Sequence, residues 1–196
     1  MRRIAVFASG SGSNFQAIAD AIEAGTLVAD IQLLVCDKPG AKVVDRAQKL
    51  NIPVFTFMPK TFGAKADFEK EIVNELNAYN VEFIVLAGYM RLIGEVLLQS
   101  YEGRIVNIHP SYLPAFPGKD AVGQALEANV GETGVTVHYV DSGMDTGPII
   151  EQVKIPVLPG DTRETLQERI QKAEHQLYPA IINKLLQKDI VGGIVQ

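Results

Sequence analysis

The sequence contains a single cysteine, so no disulfide can form within the chain. Cys36 lies in the apolar run 31–36, a position that favours a buried, unreactive thiol over a catalytic one. No apolar run approaches the length of a transmembrane helix, and the apolar stretch 4–8 is too short for the core of a signal peptide. We therefore predict a cytoplasmic protein.

The chain also lacks an excess of positive charge, which argues against a general nucleic-acid or membrane surface. It carries 18 lysines and arginines against 23 aspartates and glutamates, a net charge of −5. A phosphorylated small molecule can still bind, because a local cluster of backbone N–H groups holds an anion whatever the net charge. With 196 residues, 47% of them hydrophobic, and no internal repeat or low-complexity linker, the chain has the profile of one globular domain.

The first half of the chain alternates short apolar runs with helical patterns. The predicted strands are residues 4–8, 31–37, 52–57 and 81–87, and the predicted helices are residues 14–24, 41–50 and 67–79. Continuous apolar runs of this kind fit a parallel sheet that crossover helices bury on both faces. We predict a doubly wound, Rossmann-like α/β fold with a mostly parallel sheet, whose ligands bind at the carboxyl ends of its strands.

The second half adds segments that we predict to be antiparallel. The predicted elements are strands at 104–109, 133–140 and 147–158 and a helix at 121–128. A long helix is expected from Asp161 towards Lys188, with Glu164 completing a capping box and a kink at Pro179. We divide the single domain into a phosphate-binding half, 1–103, and a catalytic half with the C-terminal helix, 104–196.

A glycine-rich loop, residues 9–14, joins the first strand to the first helix. Its small residues let the backbone approach an anion, and the helix N-terminus supplies free N–H groups. No lysine follows the glycines, so the loop is not a Walker motif. A dinucleotide fingerprint, with Asp37 as its ribose-binding acid, stays open although Phe15 replaces the third glycine, as does a plain structural turn. The pattern favours a single phosphate held by Gly12, Ser13 and Asn14.

Asn107 and His109 are two residues apart at the end of a predicted strand, so both face the same side of the sheet. An amide can donate to an oxyanion, and an imidazole can move a proton near neutral pH. A satisfied core pair is the structural alternative. The loop 140–148 follows another strand, and its Asp145 would favour the imidazolium form if it reached His109.

Two other polar side chains near these motifs have more than one reading. Asp141 could be a turn former, and His138 either makes a structural hydrogen bond or lies at the edge of the site. A metal site from His109, His138 and Asp145 has no supporting ligand spacing, so no metal is expected.

The last helix carries a carboxylate on its apolar stripe. The stripe consists of Leu166, Ile170, Leu177 and Ile181. Glu174 lies on this stripe and must find a partner there, either a salt bridge or a substrate ammonium. Gln171 lies one turn earlier on the same side.

These motifs, in this order, resemble the phosphoribosylglycinamide formyltransferases over nearly the whole chain. The matching segments are residues 9–14, 87–92, 107–114, 134–138 and 141–148, with Glu174-His175 and Tyr178-Pro179. The resemblance implies transfer of a formyl group from 10-formyltetrahydrofolate to the amine of glycinamide ribonucleotide in purine synthesis. These two molecules are the implied partners, with no nucleic acid, membrane or metal, and a homodimer is left open.

The resemblance also assigns roles to individual residues. The catalytic residues would be Asn107, His109 and Asp145, which would assist the direct attack of the amine on the formyl carbon. The acceptor would be bound by Gly12, Ser13, Asn14, Gln171 and Glu174. The folate would be bound by Lys65, Met90, Arg91, Leu92, Ile93, Asn107, Val140 and Asp141, largely through backbone groups. This chain departs from the family at Asp120, where a histidine is frequent, and Asp120 is expected to be a helix N-cap.

Three rival functions are less compatible with the sequence. A formate-releasing hydrolase of this type carries an additional N-terminal domain, for which we expect no room. A methionyl-tRNA formyltransferase adds a C-terminal domain and needs a basic surface. A dinucleotide-binding regulator would leave Asn107 and His109 at the strand end unexplained.

Overall fold

Seven strands form one sheet in the order β3-β2-β1-β4-β5-β6-β7 in a computed structural model that describes residues 1–191. The strands are β1 Arg2–Phe7, β2 Ala29–Cys36, β3 Val54–Thr56, β4 Phe83–Leu86, β5 Ile105–His109, β6 Glu132–Tyr139 and β7 Ile149–Pro156. The helices are α1 Ser13–Glu23, α2 Lys42–Lys49, α3 Lys65–Ala78, α4 Glu95–Ser100, α5 Ala121–Glu127 and α6 Arg163–Val191. The last five residues of the predicted domain, 192–196, lie outside the described residues.

The sheet is parallel from β3 to β5 and antiparallel from β5 to β7, as predicted. In the parallel part, helices α1 to α4 lie between successive strands, whereas β6 and β7 follow one another directly through the loop 140–148 and pair antiparallel. The register of β5 and β6 places Asn107 opposite His138. A residue from the antiparallel part is therefore brought beside the end of the parallel part.

Helices cover both faces of the sheet, and alternate strand residues serve the two layers. In β1, Ile4 and Val6 face the core shared with α1, α2 and α6, while Ala5 and Phe7 face the core shared with α3 and α4. All four of these β1 side chains are fully buried. This explains why the strand has a continuous apolar run instead of an alternating pattern.

Helix α6 is fastened to the ends of two central strands by one tyrosine. The buried hydroxyl of Tyr178 donates to the carbonyl oxygens of Leu86, at 2.7 Å, and Val106, at 3.2 Å. A buried phenol needs such partners to compensate for its desolvation. Pro179 follows immediately and lies inside α6 without ending it; the kink there stays a prediction.

The structure corrects the predicted start of α6 and adds a helix. The helix begins at Arg163, and Thr162 and Thr165 exchange the capping hydrogen bonds, so the capping box of Asp161 and Glu164 is wrong by one residue. Asp161 is instead paired with Arg169, at 2.7 Å. Helix α4 was not predicted, because a six-residue helix is too short to show a period.

The structure tests two expectations, the burial of Cys36 and the absence of a helix that could span a membrane. Cys36 is fully buried, as predicted, and burial raises the pKa of its thiol. Within residues 1–191, none of the helices combines the length and apolar character needed to cross a bilayer. The cytoplasmic location stays a prediction.

Candidate active site

A cleft of about 630 Å³ opens at the carboxyl ends of β1, β4 and β5, where parallel-sheet proteins bind ligands. Loops from both halves of the chain and one wall of α6 line it. The predicted site residues that line it are Gly12, Ser13, Asn14, Met90, Arg91, Leu92, Ile93, Asn107, His109, Val140, Asp141, Asp145, Gln171 and Glu174. Lys65 is not among the lining residues; it is exposed at the first position of α3.

The imidazole of His109 faces oxygen atoms on both sides. Its Nδ1 lies 3.4 Å from a carboxylate oxygen of Asp145, and its Nε2 lies 2.8 Å from the carbonyl oxygen of Phe116. Neither oxygen can donate, so a doubly protonated ring satisfies both contacts and a neutral ring satisfies one. Two acceptor oxygens therefore flank a nearly buried ring.

His138 joins this group and determines how Asn107 is turned. Its Nδ1 donates to the carbonyl oxygen of Tyr139, at 2.7 Å, so its Nε2 is left as an acceptor. The amide nitrogen of Asn107 donates to that Nε2 at 3.2 Å. Because a carbonyl oxygen cannot donate, this tautomer directs the nitrogen of Asn107 towards His138.

Asp145 links the two histidines and the loop that precedes α5. Its Oδ1 lies 3.6 Å from Nε2 of His138, and its Oδ2, the oxygen beside His109, accepts a hydrogen bond from the backbone N–H of Gly118 at 2.8 Å. Desolvation raises the pKa of Asp145, but the hydrogen bond from Gly118 and the proximity of His109 lower it, and the pKa lies below its ordinary value. The ionised carboxylate is thus the favoured form beside His109.

Asp141 shapes the same loop. Its Oδ1 accepts hydrogen bonds from the hydroxyl of Thr146, at 2.7 Å, and from the backbone N–H of Gly143, at 3.0 Å. The bond from Thr146, followed by that from Gly143, lowers the pKa of this carboxyl despite some desolvation. The turn-forming alternative is therefore confirmed, and Asp141 also lines the cleft.

Gly12 brings the glycine-rich loop against α2. Its φ of 74° is left-handed, and a Cβ atom at this position would lie 2.6 Å from Cγ2 of Val43 and 3.0 Å from its Cα. Only glycine accepts both conditions without displacement. Helix α1 begins at the next residue and has no side-chain cap, and Ser13 and Asn14 of its first turn line the cleft.

Glu174 finds its partner in Asn14. The amide nitrogen of Asn14 donates to Glu174 at 3.1 Å, and the carboxyl side chain is buried. Burial raises the pKa of Glu174 to about 7, although the hydrogen bond from Asn14 lowers it in part. The Oδ1 atom of Asn14 is buried without a hydrogen-bond partner within residues 1–191. An unpaired buried acceptor beside a cleft is suited to a ligand donor.

The residues of the dinucleotide alternative are used elsewhere. Asp37 is buried, accepts a hydrogen bond from the hydroxyl of Ser9 at 2.5 Å and is paired with Arg91 at 2.8 Å. Phe15 is fully buried in the core under α1. Asp37, the candidate ribose-binding acid, is therefore already bound to protein groups, and Phe15, in the position of the third glycine, packs in the core.

Asp120 is an N-cap, as expected. Its carboxylate accepts from the backbone N–H of Gly123, the third residue of α5, at 3.2 Å. The same carboxylate pairs with Arg163 at the start of α6, with one contact at 2.7 Å. The departure from the family pattern thus joins two elements at the rim of the cleft.

The sequence left the role of His138 undecided and did not indicate the structural role of Asp37. The alternation of 133–140 put His138 on the Thr136 face, but only the β5–β6 register shows that this face meets Asn107. Within the part of the chain that the structure describes, no group of three His, Cys, Asp or Glu side chains is arranged to hold a metal ion. The expected absence of a metal remains a prediction.

Comparison with known proteins identifies close relatives. Residues 2–182 match the model of the formyl transferase family. The phosphoribosylglycinamide formyltransferase of Bacillus subtilis (strain 168) is 57% identical over 186 residues, 95% of each chain. The crystal structure of glycinamide ribonucleotide transformylase 1 from Geobacillus kaustophilus has a TM-score of 0.93 and 62% identity, covering 95% of this chain and 99% of that one.

A longer relative contains a similar region. The trifunctional purine biosynthetic protein adenosine-3 of Drosophila pseudoobscura pseudoobscura is 46% identical over 180 residues, 91% of this chain. That match spans only 13% of the longer protein.

Proposed function

Because this chain belongs to the formyl transferase family, and within it to the phosphoribosylglycinamide formyltransferases, we propose that it transfers a formyl group from 10-formyltetrahydrofolate to the amine of glycinamide ribonucleotide. The observation that carries the proposal is a single cleft that holds three kinds of surface. An anion-binding turn at Gly12–Asn14 and a segment at 88–94 flank the polar cluster of Asn107, His109, His138 and Asp145. Two substrates and the reacting groups can therefore meet in one place.

The reaction needs no protein nucleophile. The amine nitrogen of the acceptor attacks the formyl carbon, the new C–N bond forms, and the bond from that carbon to N10 of the folate breaks. The amine loses one proton and N10 gains one, so the step is balanced. The protein supplies orientation, oxyanion stabilisation and a route for the proton.

Asn107 and His109 supply the oxyanion stabilisation and the route for the proton. The amide of Asn107, oriented by His138, donates to the oxygen that becomes negative in the tetrahedral intermediate. The imidazolium of His109, held beside the ionised Asp145, stabilises the same oxygen and assists proton movement to the departing nitrogen.

The acceptor lies along the wall formed by α1 and α6. Gly12, Ser13 and Asn14 hold the phosphate with backbone and side-chain donors, and Gln171 lies nearby. Glu174 receives the glycinamide end in its ammonium form, since a buried carboxyl with a raised pKa ionises readily when a cation approaches, and the ammonium gives up one proton before the free amine attacks. The unpaired Oδ1 of Asn14 offers a further acceptor to the same ligand.

The folate occupies the opposite side. Met90 and Leu92 expose apolar side chains, with 63% and 44% of their surface accessible, beside the backbone of Arg91 and Ile93. Val140 and Asp141 complete this side. The role of Lys65 near the folate stays a prediction, and so does the homodimer.

An assay of formyl transfer to glycinamide ribonucleotide tests the proposal. We expect glycinamide ribonucleotide to be formylated with equimolar loss of 10-formyltetrahydrofolate. Release of formate without formylated ribonucleotide would identify a hydrolase instead.

Calorimetric binding to a charge variant locates the acceptor. Asn14→Asp should weaken glycinamide ribonucleotide binding, because a carboxylate then faces both the phosphate and Glu174, and should leave folate binding nearly unchanged. Gln16→Glu is the matched control, with the same charge change on the same helix but a side chain that pairs with Arg46 outside the cleft. If Asn14→Asp loses folate and retains the ribonucleotide, the two substrate sites are assigned in reverse.

A further inference from the structure

Two buried carboxylates outside the catalytic cluster contact the same irregular segment. Asp37, after β2, and Glu69, in the middle of α3, are 4% and 2% exposed. Burying a carboxylate is unfavourable unless hydrogen bonds compensate it. Each of these carboxylates directs its hydrogen bonds towards segment 88–94, which connects β4 to α4 and lines the cleft.

Asp37 holds the beginning of segment 88–94 through Ser9 and Arg91. The backbone N–H of Met90 donates to the hydroxyl of Ser9 at 2.9 Å, and this hydroxyl donates to Asp37 at 2.5 Å. The other oxygen of Asp37 accepts from Nε of Arg91 at 2.8 Å. Since the serine proton is given to Asp37, the hydroxyl oxygen is directed as an acceptor towards Met90.

Glu69 holds the end of the same segment. Its Oε1 accepts from the backbone N–H of Gly94 at 2.6 Å, and its Oε2 lies 3.4 Å from that of Leu97. Gly94 is the N-cap of α4 and has no side chain, so Glu69 replaces the missing cap. A Cβ on Gly94 would lie 2.7 Å from both carboxylate oxygens, so the glycine and Glu69 are sterically matched.

Between the two fastened ends, the backbone stays available to a ligand. Within residues 1–191, the N–H and carbonyl groups of Arg91, Leu92 and Ile93 make no hydrogen bond to the protein. Ile93 is 3% exposed and anchors the segment in the core below, whereas Met90 and Leu92 are exposed at the cleft. A planar heterocycle with alternating donors and acceptors can therefore pair with a backbone edge that is already in position.

We propose that Asp37 and Glu69 are positioning residues that hold segment 88–94 in the shape that receives the folate. This inference rests on the proposed function, in which the segment binds the formyl donor. Without either carboxylate the segment samples other conformations, and the apparent dissociation constant rises in inverse proportion to the fraction of molecules that keep the competent conformation. A variant in which that fraction falls to about one tenth binds the folate about tenfold more weakly.

The test compares isosteric variants with matched controls. Asp37→Asn places an amide N–H or a neutral oxygen against Ser9 and Arg91, and Glu69→Gln does the same at Gly94. Asp30→Asn in β2 and Glu71→Gln in α3 remove the same charges at exposed positions of the same strand and helix. Each protein is titrated separately with 10-formyltetrahydrofolate and with glycinamide ribonucleotide, and its unfolding and amide hydrogen exchange are measured.

We expect about tenfold weaker folate binding in Asp37→Asn and Glu69→Gln, unchanged ribonucleotide binding in Glu69→Gln, and faster exchange confined to residues 88–97. If either variant does not fold, Ser9→Ala, which breaks the link to Met90, must show the weaker folate binding. Unchanged folate binding, or parallel weakening of both ligands with lower thermal stability in Glu69→Gln, overturns the positioning role. Wild-type protein that does not bind 10-formyltetrahydrofolate instead contradicts the proposed function.

Discussion

At the scale of single residues, the amide of Asn107 and the imidazole of His109 are expected to carry most of the rate enhancement. Asn107→Ala and His109→Ala should each lower turnover about 100-fold or more, the usual effect of losing an oxyanion donor or a general acid. Steady-state kinetics check this, with thermal unfolding to show that the variants fold. His175→Ala is the control, since His175 lies on α6 outside the cleft. Near-native turnover in a folded Asn107 or His109 variant would contradict the mechanism.

The carboxyl of Asp145 should make the stability of the protein depend on pH, because folding lowers its pKa. The wild type should lose stability as the pH falls below about 4, whereas Asp145→Asn, which has no ionisable group at this position, should lose less. Urea unfolding above and below this pH measures the difference. An equal loss of stability in both proteins would argue against an ionised Asp145 in the native state.

Glu174 should make stability depend on pH in the opposite direction. Its pKa is raised from 4.5 to about 7 on folding, so the native state binds the proton more tightly than the unfolded chain. The wild type should therefore lose up to about 3 kcal/mol of unfolding free energy as the pH rises from 4.5 to 7, at about 1.4 kcal/mol per pH unit.

Replacement by glutamine removes this pH dependence. We expect Glu174→Gln to be more stable than the wild type at pH 8 and similar to it at pH 5, and to bind the acceptor less well. Urea unfolding at both pH values measures the difference. Parallel stability curves in the two proteins would show that the buried carboxyl does not titrate as argued.

At the scale of elements, the start of α1 depends on the absence of a side chain at Gly12. Gly12→Ala combines a left-handed backbone, which costs about 1–2 kcal/mol, with an overpacked contact against Val43, which costs about 1–3 kcal/mol. We expect urea unfolding to show about 2–4 kcal/mol of destabilisation, together with weaker ribonucleotide binding.

Gly10→Ala is the control within the same loop. A Cβ at Gly10 would meet no atom within 4 Å, and its φ is not left-handed. Its stability should stay within about 0.5 kcal/mol of the wild type. Equal effects of the two alanines would refute the steric argument.

Elements with a strong period were predicted well, and elements defined by distant contacts were not. All seven strands and five of the six helices were placed from apolar patterns, because buried strands and amphipathic helices have distinct periods. Helix α4 is capped by Glu69 from another helix, and the start of α6 is shifted because Asp161 pairs with Arg169. The cap of α4 and the start of α6 thus both depend on contacts between side chains that a local sequence pattern does not reveal.

At the scale of the whole molecule, residues 1–103 and 104–196 should unfold together. Strands β4 and β5 pair across the boundary, with Ile84 beside Ile105, and Ile18 of α1 shares one buried core with Leu166 and Ile182 of α6. Circular dichroism and tyrosine fluorescence should give one coincident urea transition. A fragment of residues 1–103 should not fold alone, because it lacks α6 over the core of β1. Two separate transitions would show two independent domains.

The sequence by itself determined the fold class and most residues of the cleft. Gly12 follows β1, and Asn107 and His109 end β5; both strands belong to the parallel part of the sheet, and parallel strand ends meet at one edge of a sheet. Only the tertiary structure decided how the polar groups pair: His138 with Asn107 through the β5–β6 register, Asn14 with Glu174 across 160 residues, and Asp37 and Glu69 with segment 88–94. Periodicity reports which face of an element is buried, whereas these pairs depend on where irregular loops place individual atoms, to within a hydrogen-bond length.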